Sequence, residues 1–252
     1  MTLVRIRKEY NNLLLLSLIF LTVVLFGCQS HPAGPDVKNI EVTTNLVRFE
    51  ESLFSIDTLE IQKDIDQLIS KYPDFSDVFF YQITNKPEYK DDVYQIANAF
   101  IRDSFHRALY HECIQAFPDL TTYQAEFEQA FQYFKYYFPE KEIPTIYSCI
   151  TGFEVGSFTI GHEVLGIGLD FYLGQDFSMY PPDLFPIYIR RTMNADHMVA
   201  KTIQALVENY VDNPVSTRMI DIMIRNGIVL FIKEKLLPEM DKTILFEYTA
   251  EQ

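Results

Sequence analysis

Apolar positions along the chain change texture four times. From Leu13 to Phe26 they run almost unbroken. From Leu59 to Phe138 they recur mostly at helical spacing. Between Pro144 and Leu169 they fall into short runs punctuated by glycine, and from Val199 to Leu237 helical spacing returns. Read in order, these textures predict a set of elements. Ile40-Glu41-Val42-Thr43 alternates and leads into Leu46-Val47-Arg48-Phe49, a strand. Asp57-Thr58 stands where a cap would open a helix carrying Leu59, Ile61, Ile65, Leu68 and Ile69 and ending at Tyr72-Pro73. A longer helix is predicted from Asp91 to Ala116, with Val93, Ile96, Ala97, Phe100, Ile101, Ala108 and Leu109 as its stripe. The next runs from Thr122 to Phe138. Its stripe of Tyr123, Phe127, Ala130, Phe131, Phe134 and Phe138 reads as core rather than binding platform, and Pro139 stops it.

Pro144–Ile150, Ser157–Ile160 and Val164–Leu169 then predict a small antiparallel strand meander. Two helices close the chain, one striped by Val199, Ala200, Ile203, Leu206, Val207 and Val211, the other from Ser216 to Leu237. Pro214 separates them and Pro238 ends the second. Helices, a strand cluster and then a helix pair indicate the α+β class, with a helical N-terminal half.

The first apolar run has a different meaning. It follows Arg5, Arg7 and Lys8, and it is shorter than the ~20 residues a membrane-spanning helix needs. It fits the core of a signal peptide over residues 1–27. It ends in Leu25-Phe26-Gly27-Cys28, which resembles a bacterial lipobox whose cysteine is acylated, so Cys28 is the expected lipidation site. Phe26 is bulkier than the residue usual there, and the alternative is an uncleaved anchor with an incidental cysteine. Either way the body faces a compartment outside the cytoplasm. Residues 28–38, with Ser30, Pro32, Gly34 and Pro35, read as a lipidated tether, and residues 39–252 as a single α+β domain.

Composition sharpens this picture. A 252-residue chain with 48% hydrophobic and 15% aromatic residues can bury a large core, which excludes intrinsic disorder. The net charge is −14, and loss of Arg5, Arg7, Lys8 and Glu9 with the leader takes it to −16. Such a body is not drawn to nucleic acid or to anionic lipid by charge. Two further cysteines, Cys113 and Cys149, carry no framework spacing and read as buried free thiols.

Candidate chemistry is sparse. A zinc peptidase needs two histidines at i and i+4 on one helix face with a glutamate as base. His106 and His111 are five apart and splay by about 140° on a helix. His111-Glu112 is followed by Gln115, His162-Glu163 lies among strands, and His197 has Lys201 at i+4. His31 falls in the tether. No nucleophile elbow, phosphate loop or Cys-x-x-Cys is present. Asp170 and Asp176 flank Tyr172 and Gly174 without the pattern of a calcium loop. Asp57-Thr58-Leu59 reads as a helix cap, with an O-glycosylation tripeptide as the other reading. No catalytic, metal or cofactor residue is assigned.

Three segments resemble the GldB family of gliding-motility lipoproteins from Bacteroidetes. They are Lys71-Tyr72-Pro73-Asp74-Phe75, the run Gly166-Ile167-Gly168-Leu169-Asp170-Phe171-Tyr172-Leu173-Gly174 with Tyr180 and Pro186–Arg190 after it, and Met219 to Pro238. The resemblance implies a zincin-like scaffold in which the helix around Val199–Val211 would carry His-Glu-x-x-His. Here that helix reads Lys201-Thr202-Ile203-Gln204-Ala205, and the place of a third ligand holds Asn226 before Gly227. It also implies further tryptophan-containing sequence beyond Leu236-Leu237-Pro238, whereas this chain has no tryptophan. The implied protein is a non-catalytic lipoprotein of the cell envelope, partnered by the membrane and by proteins of the gliding or type IX secretion machinery. Two alternatives stay open. One is a metal- or carboxylate-dependent hydrolase. The other is a glycan- or peptide-binding lipoprotein using the aromatic loop from Phe171 to Tyr188.

Overall fold

The computed structural model describes residues 34–249, except positions 85, 90 and 91 and the side chain of position 87. The leader, Cys28 and His31 lie outside the described residues. The main folded unit runs from Asp36 onward. It is α+β, with a four-stranded sheet of β1 (Leu46–Arg48), β2 (Thr145–Cys149), β3 (Ser157–Ile160) and β4 (Val164–Gly168).

The sheet is mixed, not the antiparallel meander that the spacing suggested. Its order is β1-β2-β4-β3, with β1 parallel to β2, β2 parallel to β4, and only β3 and β4 antiparallel. Residues 150–156 carry the chain past the place that β4 takes, so the β3–β4 hairpin folds back and inserts β4 beside β2. β4 is buried at every position, which suits its apolar Val-Leu-Gly-Ile-Gly run. Gly166 is required there, because a Cβ would lie 2.2 Å from the ring of Phe158.

The two faces of the sheet bury different cores. On one, Phe49 and Leu53 from α1 (Phe49–Phe54), Ile65 and Leu68 from α2 (Ile61–Lys71) and Phe75 from α3 (Pro73–Val78) pack with Phe79 and Phe80. Ile96, Phe100 and Ile101 of α4 (Val93–Arg102) join them. Tyr72-Pro73 ends α2 and starts α3, with proline at the first turn where its missing N–H costs nothing. This brings Phe75 to stack on Tyr147 at 4.4 Å. On the other face, Ile146, Leu165 and Ile167 pack under α6 (Thr121–Tyr137) and α8 (Met198–Tyr210). The aromatic stripe of α6 is core as expected, with Phe127, Phe131 and Phe134 buried.

Three boundaries differ from the sequence reading. The predicted helix over Asp91–Ala116 is two helices, α4 and α5 (Ser104–Ala116), hinged at Asp103. Asp103 has extended backbone, and its carboxylate accepts from the N–H groups of Phe105 and His106, so it caps the second helix. Asp57 does not cap α2. It accepts from Leu59 N in an exposed turn, and the helix opens after Glu60. Residues 40–43 form no strand; Ile40 and Thr44 instead offer their carbonyls to Gln132 and Gln124 of α6. After β4 come α7 (Ile187–Arg190), α8, α9 (Met219–Leu236) and α10 (Lys242–Phe246).

Candidate functional site

One face of α8 presents Lys201, Gln204, Ala205 and Glu208, spaced so that they share a stripe. Opposite them stand Gly156 and Ser157 at the start of β3, Phe171 and Tyr172 from the turn after β4, and Ile189, Thr192 and Met193 after α7. Glu247, just beyond α10, closes the rim. The cleft so formed holds ≈ 300 Å³.

Its polar groups are paired. Lys201 Nζ meets Glu247 Oε2 at 3.1 Å. Ser157 Oγ lies 2.7 Å from the Tyr172 hydroxyl and 2.9 Å from Thr202 Oγ1, linking strand, turn and helix. Burial pushes the Tyr172 phenol up to about 12, so it stays protonated and can donate. Behind Gln204 lies Lys233 of α9. It is fully buried, and its Nζ donates to Gln204 Oε1 at 2.9 Å. Burial pushes this ammonium down to about 8, against the supporting fields of Glu247 and Glu208.

Lys233 makes stability depend on pH. Below about 8 it is charged in the folded and unfolded chain, and the folded state bears the full desolvation cost. Between about 8 and the ordinary 10.5 the unfolded chain binds more proton than the folded one, so stability rises with pH. Lys233→Met should therefore stabilise the fold at pH 7 by about 2–3 kcal/mol and flatten that rise. Urea unfolding at pH 7 and pH 10 tests it. A variant less stable at pH 7 would mean that the Gln204 bond outweighs desolvation.

The residues singled out from sequence are scattered. His106 is buried and stacked on Phe100 at 3.9 Å, and burial lowers its pKa. His111 is exposed beside Gln115. His162 stacks on Tyr210 at 4.7 Å and meets Asn209. His197 meets Asn194 Oδ1 at 2.8 Å. Among the described residues no three of His, Cys, Asp and Glu are placed to hold a metal ion. Cys113 and Cys149 are buried free thiols whose pKa burial raises.

Asp170 is fully buried, whereas Asp176 is exposed. Its carboxylate accepts from Thr151 N at 3.0 Å, Thr151 Oγ1 at 3.1 Å and Phe153 N at 2.7 Å. Burial holds its pKa above the usual carboxylate range despite those donors. Tyr172 and Tyr180 are buried too, so neither is the exposed ring that a glycan-binding use of this loop would need. The Tyr180 hydroxyl donates to Asp170 O and accepts from Leu173 N, both at 3.0 Å.

Of the segments that carry a resemblance, Gly166–Gly174 and Pro186–Arg190 wall this cleft and Met219–Pro238 supplies Lys233 behind it, while Lys71–Phe75 packs in the core on the other face of the sheet. The family model described as gliding motility protein GldB matches residues 30–252. The chain belongs to the GldB family. No curated protein and no solved structure matches it.

In the GldB segment Gly166–Gly174 each glycine and the aspartate have a physical role. Gly166 admits the Phe158 ring, and Gly168 admits the Val155 carbonyl, 2.3 Å from where a Cβ would sit. Asp170 ties down the residues 151–153 loop, Tyr172 walls the cleft, and Gly174 turns the chain at φ 101°. Sequence reasoning missed Lys201, Gln204, Lys233 and Glu247 as a group. Lys233 is a cation at a core-facing position of α9, the one local sign available; Glu247 reaches the cleft only through tertiary folding. No helix among the described residues is long and apolar enough to cross a membrane.

Proposed function

We propose that this GldB-family protein is a non-catalytic, lipid-anchored component of the cell envelope. It supports gliding motility or the linked type IX secretion machinery through contacts with other envelope proteins. The family match supports the gliding connection. The observation that carries the non-catalytic reading is the chemistry of α8. On a zincin-like reading of the fold, this helix would offer a metal its ligands. It offers instead Lys201 and Gln204, with the Lys233 ammonium directly behind. Two cationic side chains at that place oppose a divalent ion rather than bind it.

The buried carboxylates do not favour a hydrolase. Glu50 is held by Arg48 at 2.8 Å and by Ser148 at 2.8 Å, Asp170 by Thr151 and Phe153, and neither lines the cleft. A second reading, a peptide-binding lipoprotein, is favoured by the cleft itself. Phe171, Ile189, Met193 and Ala205 give it apolar walls, and Ser157, Gln204 and Glu208 give hydrogen-bonding groups.

A deletion strain tests the main reading. Loss of colony spreading or of type IX cargo in the medium is expected, restored by the parental chain and by Lys201→Ala, and not by Cys28→Ser. Normal spreading and normal secretion in the deletion strain would sink it. Stoichiometric zinc surviving dialysis of the purified protein would turn the reading to a hydrolase.

A further inference from the structure

Helix α9 is apolar on faces that none of the described residues covers. Only Val229, Lys233 and Leu236 of its 18 residues are buried. Met219, Ile220, Met223, Ile224, Ile228 and Phe231 are 44–73% exposed. A helix that is apolar all round is ordinarily buried, so this one lacks a partner. Together with Val215, 96% exposed, these side chains present on the order of 800 Å², what each side of a standard protein interface contributes. An open groove of ≈ 450 Å³ runs alongside, between Tyr210, Pro214, Ile224 and Ile232.

Gly227 supplies an independent sign. It sits inside α9, where glycine is unfavourable, and a Cβ there would meet nothing within 4 Å. The fold of this chain gives no reason for it. Close approach of another helix does, since a missing side chain lets a facing side chain reach the backbone. Ile220, Ile224, Gly227 and Phe231 are spaced four, three and four apart, the stripe along which two helices pair.

We propose that α9 is a homodimer interface, occupied by α9 of a second copy lying antiparallel across a two-fold axis. The stripe is complementary to itself about its own midpoint. An axis between Arg225 and Asn226 sets Gly227 against Ile224, Met223 against Ile228, Ile220 against Phe231, and Met219 against Ile232. Every one of these pairs is apolar, as an isologous interface requires. Charge selects the same face. In a chain of net charge −14, Met219–Ile232 holds only Asp221 and Arg225, so two acidic bodies meet there with little repulsion. A bilayer surface would require neither the glycine nor the symmetry.

Oxidative cross-linking of the full-length protein in its own membranes tests this. Ile224→Cys lies on the contact stripe, about 4–5 Å along the helix from its own symmetry mate, and should yield a disulfide-linked species of twice the chain mass. Leu59→Cys, 88% exposed in the turn before α2, should not. Adding Phe231→Asp to Ile224→Cys should cut the linked species by about tenfold or more. Phe231→Asp alone should keep the far-UV dichroism of the parent and a single cooperative thermal transition, which separates lost association from lost folding. Three results would overturn the dimer: equal cross-linking of Leu59→Cys, a linked species whose mass includes a different protein, or a monomeric Ile224→Cys. If that monomer is shielded from a water-soluble maleimide in membranes but not in detergent, α9 lies on lipid instead.

Discussion

Asp170→Ala should lower the unfolding free energy by about 3–5 kcal/mol, the largest effect of any single polar substitution in the described fold. The carboxylate is fully buried and receives the backbone N–H groups of Thr151 and Phe153 together with the Thr151 hydroxyl. Alanine leaves all three donors without an acceptor in a place water does not reach. The loop they belong to includes Gly152 and Phe153, both at positive φ (72° and 67°), and the ties to Asp170 hold that backbone in place. Asp170→Asn keeps the volume but turns one acceptor into a donor that faces donors, so about half the loss is expected. Thr151→Ala should cost less than either, because the two backbone bonds survive. Urea unfolding monitored by far-UV dichroism measures all three. An Asp170→Ala chain within about 1 kcal/mol of the parent would refute the assignment of this carboxylate as the anchor of the loop.

Phe49→Ala should cost about as much, 3–5 kcal/mol, by a different mechanism. The Phe49 ring is fully buried, with ring centroids of Phe75 at 4.7 Å, Phe79 at 4.9 Å and Tyr72 at 6.0 Å. These neighbours come from the junction between α2 and α3, from α3 and from the π-helical turn Phe79–Ile83 after it, so no single shift can close the hole left by alanine. Packing to crystal-like density means that every ring on the rim loses dispersion contacts at once. Phe49→Leu fills part of the space and should cost about 1–2 kcal/mol. Phe231→Ala, measured at dilution where the chain is monomeric, is the matched control. It removes the same ring from the exposed face of α9 and should move stability by less than about 0.5 kcal/mol. If both phenylalanines cost the same, the burial of Phe49 described above is wrong.

These two residues show how differently a core can be announced by its sequence. The α6 stripe is legible because each ring sits at i+3 or i+4 from the last, and the helix alone sorts them to one side. Phe49 is not, because it sits at a strand-to-helix junction where neither period applies. Its partners are gathered by three separate chain turns. Asp170 is intermediate. The Gly-x-Gly-Leu-Asp run marks a special stretch of backbone, but only the returning loop shows that the aspartate serves as an internal acceptor and not as an outward ligand.

The candidate site was hidden for the same reason. Lys201 and Gln204 are visible as polar residues on an apolar helix, yet nothing local says that Lys233 of the next helix will meet Gln204. Nor does anything local say that Glu247 will meet Lys201. Tyr172 and Tyr180 could be read from the loop as sugar-stacking rings or as cover for the sheet, and burial decides for the second: each hydroxyl finds a partner beneath the surface.

By itself the sequence determined the positions of most of the long helices, the α+β class, the aromatic core stripe and the segments that carry GldB membership. Periodicity and short ordered motifs are properties of contiguous residues, and contiguous residues can be read directly. Only the tertiary structure decided the strand order, the split at Asp103, the cleft beside α8 and the bare face of α9. Each of those depends on which distant segment arrives as a neighbour. Inserting β4 between β2 and β3 turns an expected meander into a mixed sheet. What fails to arrive over Met219–Phe231 leaves a helix that local pattern would have placed in the core.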